Sequence, residues 1–579
     1  MYIFHLLRSF TPIRNPIGFG AADFIEIVLA MLLVWITLAW PSWFAERARR
    51  FSEKTLPCML LLAILPVALR LFLLKHYPIP TPDVSDDFSY VLLADTLRHF
   101  RFANPPLPLS RFFETFFVLQ QPTYSSIYPP GQGIALAFGW VIFGSPWAGV
   151  ALSISVLCAL CFWMLRAWIS PGWSLIGGLL AVFLFGPLSQ WMNSYWGGAV
   201  SAIAGCLVFG ALPRLTEKRR LRDAGLLGLG LGMQFLTRPF EFVFVLLSAA
   251  LFFTPWLWKR RFQPFRIAAR LAIVALLAFI PAVVLTLAQN KQVTGQWLTL
   301  PYMLSRYQYG VPTTLTVQPI PVSHRPLTAQ QQLDYKIQSS VHGKGPETIQ
   351  SYFGRLAARV RFYRFFFYAP LYLAILVFLT RVREFRFAWV VFTLLLFALG
   401  SNLYPYFYSH YIAAASCLFL LVSVAGLERL SRVSIRGTPA GYEAARVIVF
   451  LCAAQFLFWY GIHAWGDEDI STAMTRYETW DAINHGDPDG RLAVNAALAR
   501  APGKQLVFVR YWPQHLLREW VNNAADIRNA RVVWARDLGT EEDQKLVDLF
   551  PGRTVWLLQP DAHPPLLTRY ASETQVLGQ

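Results

Sequence analysis

Residues Leu56–Leu74 read LPCMLLLAILPVALRLFLL, and only a few positions later Pro80–Tyr90 read PTPDVSDDFSY. An apolar run long enough to cross a bilayer therefore delivers two adjacent acids, Asp86 and Asp87, directly to the far surface. The rest of the chain repeats the first half of that pattern. Of 579 residues 55% are apolar and 15% charged, with a mean hydropathy of +0.41, whereas soluble domains carry about 25% charged residues. At about 20 residues per crossing, the apolar runs take up roughly 240 residues. Long polar segments remain that must fold in water, so the chain is more than a pore or an anchor.

Basic clusters set the expected topology. They fall at Arg47–Lys54, Arg214–Arg222, Lys259–Arg266, Arg381–Arg386 and Arg429–Arg436, and a cytoplasmic place for each follows from the positive-inside rule. Runs between clusters then come in pairs. This predicts a polytopic α-helical membrane protein with about 12 crossings and two long external loops, 76–146 and 289–361. Ala22–Pro41 reads as a retained signal-anchor or first crossing rather than a cleaved signal peptide, although twelve spans with the tail outside put the N-terminus outside, against Arg8 and Arg14. Phe365–Leu379 reads as one returning span. Ala224–Leu236 and Phe242–Trp256 are short for full crossings and read as half-helices joined outside by Thr237–Glu241. Gly131–Phe143 is expected as an interfacial helix.

Two domains result: a transmembrane one over 1–465 and an extracytoplasmic α/β one over 466–579. In the tail, Gln505–Val509, Arg531–Ala535 and Thr554–Leu558 read as buried strands, with helices at His515–Val521 and Glu541–Phe550 between them. That order implies a parallel sheet. No GxGxxG follows its first strand, so a dinucleotide site is not expected.

The formal charge of +18 is accounted for by residues that orient the crossings and meet anionic headgroups, so membrane lipids and not nucleic acid are the expected partners. All six cysteines lie in apolar runs, where packing rather than disulfide formation is expected. The absence of a long internal repeat disfavours inverted-repeat transporters.

Chemistry concentrates in the external segments. Ser85 reads as an N-cap with Asp86 and Asp87 opening a helix toward His99. Both acids then serve either to complement the helix dipole or to share a proton, which would raise one pKa into the range of a base. Tyr90 lies on the face of Asp86, four residues on. Tyr128-Pro129-Pro130-Gly131 forms a sharp helix entry. Gln190–Gly198 is dense in amides and aromatics, including Asn193, Tyr195 and Trp196, as a sugar-binding surface or an interfacial aromatic belt would be. Asn402–Tyr411 is similar and carries His410 and Tyr411. Lys291, Arg306, Tyr307, Tyr309, His324 and Arg325 mark the second loop, as a solvated surface or as phosphate contacts.

An acidic pair after an early crossing, an aromatic residue four positions on, a Pro-Pro turn opening a helix that ends in Phe-Gly, and Leu236-Thr237-Arg238 at a later external junction together form an ordered set. This set resembles the GT-C class of membrane glycosyltransferases, above all the protein O-mannosyltransferase and lipid A aminoarabinose transferase group. The likeness spans roughly residues 56–465 and is sparse in motifs in its second half. It implies a polyprenyl-phosphate sugar donor, an acceptor that is a glycan, a lipid or a protein, and an inverting single displacement at the external face of the inner or plasma membrane. It further implies Asp86 as catalytic base with Asp87, also catalytic, holding the acceptor or tuning its neighbour, Arg238 then His410 or Tyr411 at the donor phosphate, and Tyr90, Tyr128, Asn193, Tyr195 and Trp196 around the substrate. Two departures stand out. Tyr128 replaces the group's basic residue, and Ile127 stands where some relatives have a metal-binding acid, so neither a metal site nor a cofactor is carried over. A lipid-linked-sugar transporter or a noncatalytic membrane assembly protein are the rival readings; a transporter calls for ionisable groups at mid-membrane, which are scarce here.

Overall fold

The computed structural model describes residues 28, 30–36, 39 and 42–570, except 260–264, 312–313, 344, 467–482, 484–489 and 517. Most of the expected crossing Ala22–Pro41, with Arg8 and Arg14, lies outside the described residues.

The chain is predominantly helical. Among the described residues six helices are long and apolar enough to span a membrane: Thr55–Lys75, Pro146–Leu165, Ala199–Lys218, Arg266–Thr294, Ser409–Leu430 and Ala440–Trp465. Four shorter apolar helices join them, Pro130–Phe143, Pro171–Phe185, Pro239–Pro255 and Phe385–Ser401. The expected single span Phe365–Leu379 is broken instead. Ile349–Phe366 and Leu371–Arg381 meet at 109°, with Pro370 at the start of the second helix, where its ring cannot continue the helix before it. The two helices expected to be half-length are longer than read, Leu221–Thr237 with 17 residues and Pro239–Lys259 with 21, and the break between them falls at Arg238. A residue before proline is disfavoured in the helical region, and Arg238 is extended, with φ −144° and ψ 84°.

Phe162, Phe185, Trp191, Phe365 and Phe366 lie fully within the apolar core, and all six cysteines are buried and unpaired. The guanidinium of Arg70 is fully buried as well. Arg70, at the end of the first described span, donates to Asn193 Oδ1 at 2.8 Å and to the carbonyls of Tyr77 and Pro78 at 3.0 Å. Neutral acceptors thus compensate its lost hydration, and in doing so fasten the chain leading to Asp86 onto the Gln190–Gly198 turn.

The tail forms a four-stranded sheet. Gln505–Val509 pairs in parallel with Val532–Arg536 and with Thr554–Gln559, and Leu566–Arg569 adds an antiparallel edge that the sequence reading lacked. Helix Thr540–Leu549 forms as expected. The expected helix His515–Val521 does not form over its described residues. The Glu519 carboxylate there accepts the Tyr511 hydroxyl and the backbone N–H groups of Trp520 and Val521 at 3.1 and 3.0 Å, a local alternative to helical bonding. Phe112 and Phe113 of segment 76–146 pack into this sheet, and Ala525 N–H donates to Asp95 Oδ2 at 2.6 Å.

Candidate active site

The helix carrying the acids spans Ser85–Arg98. Its cap is Val84 and not Ser85, with no side-chain capping bond. Asp86 and Asp87 occupy the first turn, where successive side chains diverge by about 100°, and among the described residues no hydrogen bond joins the two carboxylates.

Asp87 turns inward. It is 3% exposed and accepts the backbone N–H of Tyr195 at 2.7 Å and of Asp83 at 3.3 Å. Burial pushes its carboxyl up to about 7, against those two bonds. Asp86, half-buried, turns outward. Burial raises it to about 6, opposed by the Tyr128 hydroxyl that donates to it and by the charge of Arg238.

Tyr128 reaches Asp86 because the hairpin of Val118–Leu119 with Ser125–Ser126 is tied to the acid-bearing helix. Ser89 Oγ donates to Phe117 O at 2.7 Å and lies 2.8 Å from Ser126 Oγ. The Tyr128 ring then stacks on Tyr90 with centroids 4.2 Å apart and planes 10° from parallel. Immediately after, helix Pro130–Phe143 starts hard against the junction of Leu221–Thr237 with Pro239–Lys259. A Cβ on Gly131 would stand 2.3 Å from Thr237 Oγ1 and 2.9 Å from Leu236 O, so only glycine permits this approach.

The other wall is the Asn402–Tyr411 segment. Gly205 lets helix Ala199–Lys218 close on it, since a Cβ there would be 1.8 Å from Ala414 O. From the opposite side Arg359 donates to Ser401 O at 2.8 Å and Pro405 O at 3.0 Å, and Arg355 to Asn402 O at 2.9 Å. The His410 ring lies 4.7 Å from Trp196, and its buried Nδ1 has no hydrogen-bond partner among the described residues. Arg238 sits 4.7 Å over the Tyr411 ring, with Nη1 3.6 Å from Glu241.

These walls enclose a cavity of about 860 Å³. Of the residues singled out in sequence, Asp86, Tyr90, Tyr128, Trp196, Arg238, His410 and Tyr411 line it. Asp87, Asn193 and Tyr195 do not. Asn193 is held between Arg70 and the carbonyls of Pro187 and Ser189, and the Tyr195 hydroxyl donates to Pro80 O at 2.8 Å. In the second loop Arg306 lines the cavity, while Arg325 and Tyr309 bind Glu114 at 2.6 and 2.9 Å and Lys291 donates to Gly295 O.

Sequence reading missed Asp334, Arg355 and Arg359 in this lining. Asp334 accepts both bonds of 2.6 Å from the Gln338 amide, and burial raises it to about 6. The spacing of Arg355 and Arg359 places them on one helical face, a signal available beforehand. Nothing local marks Asp334. Among the described residues no three His, Cys, Asp or Glu side chains gather as a metal set.

No protein-family model matches the chain, and no curated protein matches it significantly. It is similar to solved structures of ArnT, the lipid A aminoarabinose transferase, from Cupriavidus metallidurans. The apo form matches with TM-score 0.47 and 11% identity over 86% of this chain and 91% of that one; the form bound to undecaprenyl phosphate matches with the same score and identity over 86% and 92%. It is also similar to the oligosaccharyltransferase AglB from Archaeoglobus fulgidus in complex with an inhibitory peptide and a dolichol-phosphate, with TM-score 0.40 and 11% identity over 87% of this chain and 69% of that one.

Proposed function

We propose that this chain is a GT-C-type glycosyltransferase that moves a sugar from a polyprenyl-phosphate donor to an acceptor hydroxyl at the external face of the inner membrane. The observation that carries the reading is the pairing, in one cavity, of a half-buried carboxyl raised to about 6, Asp86, with the guanidinium of Arg238. A lipid-phosphate sugar keeps its tail in the bilayer and its anomeric carbon at the interface, which is where a cavity built from external loops and helix ends presents its groups.

The leaving group is a phosphate, stable as an anion, so the site needs a base and cations rather than a strong acid. Asp86 takes the acceptor proton as the acceptor oxygen bonds the anomeric carbon. The bond from that carbon to the phosphate oxygen breaks, its electron pair leaves with the polyprenyl phosphate, and Arg238 meets the charge that develops, with His410 and Tyr411 beside it. One displacement inverts the anomeric centre. The Tyr128 hydroxyl holds the carboxylate oriented. Asp87 fixes the turn at Tyr195. In this reading the shorter apolar helices other than Pro130–Phe143, which lies at the interface, contribute to a domain of about twelve crossings over 1–465, with 466–579 outside.

The test is transfer of radiolabelled sugar from purified polyprenyl-phosphate donor by Asp86→Asn in membranes. Loss of a general base costs about 10²- to 10⁴-fold, with insertion and detergent stability unchanged. Full transfer by this variant would return Asp86 to the role of a helix opener.

A further inference from the structure

A second pocket lies at the other end of the helices that wall the cavity. It is lined by Arg166, Trp168, Arg381, Arg386, Glu428 and Arg432. Its place follows from one element. His410 of the cavity lies on the 3-10 turn Ser409–Ala415, which passes through a kink at Ile412 into helix Ser416–Leu430; Glu428 of this pocket lies near the far end of that helix, about 18 Å beyond Ser416 at 1.5 Å per residue, so the two groups sit at opposite ends of one candidate span. Two basic clusters that the sequence assigns to the cytoplasmic side, Arg381–Arg386 and Arg429–Arg436, meet here, and Arg166 joins them from the end of Pro146–Leu165.

The charges do not cancel. Glu428 is buried and takes Arg381 at 3.1 Å, Arg432 at 3.3 Å and the Ser170 N–H at 3.2 Å. Glu384 takes Arg381 at 3.1 Å and Arg386 at 3.7 Å. Arg166 donates only to the carbonyls of Ser52 and Glu53 among the described residues, and Arg386 also to Trp168 O. Three guanidiniums thus share two carboxylates, and the fourth, Arg166, meets neither. The surplus sits in a concave site at a bilayer surface, and guanidinium forks suit phosphate oxygens.

We propose that this pocket binds a phosphate group on the membrane face opposite the catalytic cavity, supplied by an anionic phospholipid headgroup or by a soluble phosphate. The proposal stands apart from the transfer reaction.

The full chain in neutral detergent is titrated with dihexanoyl phosphatidylglycerol and, separately, with inorganic phosphate, by calorimetry. Saturable binding of either is expected, weakened about tenfold or more in R386Q/R432Q and unchanged in R383Q/R436Q, which removes the same charge from the same face outside the pocket. Lipid binding alone assigns the headgroup, and phosphate binding alone the soluble ion. Should the first pair fail to fold, R432Q serves, since that side chain is 61% exposed. Absence of saturable binding by both probes, or equal weakening in both variant pairs, overturns the proposal.

Discussion

The Tyr128 hydroxyl donates to the Asp86 carboxylate while the Tyr128 ring stacks on Tyr90, so one side chain both orients the proposed base and closes the cavity wall beside it. The two roles separate by substitution. Tyr128→Phe keeps the stack and removes the donor. That bond lowers the Asp86 pKa, so losing it raises the pKa further. Activity that depends on the ionised carboxylate rises with pH through about 6 in the parent chain, and in Tyr128→Phe that acidic limb moves upward. A pH–rate profile of both proteins checks the shift.

Arg238→Gln leaves the helix junction with its Pro239 break but takes away the charge proposed to face the donor phosphate. A hydrogen bond to a charged group contributes about 1.5–3 kcal/mol, so donor use falls roughly 10- to 100-fold. Steady-state transfer with varied donor concentration measures the change, and acceptor dependence stays close to that of the parent.

Asp87→Asn separates structure from chemistry. The parent carboxyl binds its proton more tightly in the folded chain, near 7 against a model-compound 3.8. It therefore contributes stability that is present at low pH and lost as pH rises through about 7. The asparagine carbonyl still accepts from Tyr195 N–H. Thermal midpoints of Asp87→Asn should fall less between about pH 4 and 7 than those of the parent, with most transfer activity retained.

Gly131→Ala places a methyl group against Thr237 and the Leu236 carbonyl. The two helix ends must part, at a cost of about 1–3 kcal/mol for overpacking. The expected result is a lower thermal midpoint together with reduced transfer, because Tyr128 and Arg238 ride on the two elements that separate.

The sequence by itself determined what one-dimensional chemistry can carry. Apolar runs fixed the membrane class, Thr237–Glu241 marked a junction between two helices, and the Asp-Asp, Pro-Pro and Thr-Arg motifs nominated Asp86, Tyr128 and Arg238, all of which line one cavity. Burial and approach were decided only in three dimensions. The string sets Asp86 on the face of Tyr90 but does not show where Asp87 goes; one helical step of rotation sends Asp86 to the cavity and Asp87 to Tyr195 N–H. Asp334 joins the site from a distant helix, Ala329–His342, and Arg70, inside an apolar run, becomes a clamp because Asn193 and two carbonyls converge on it. The tail helix at 515–521 failed for the same reason: the Glu519 carboxylate and the Tyr511 hydroxyl satisfy the backbone donors that a helix would have used. Such outcomes depend on which partners arrive from elsewhere in the chain, and that is a property of packing rather than of local order.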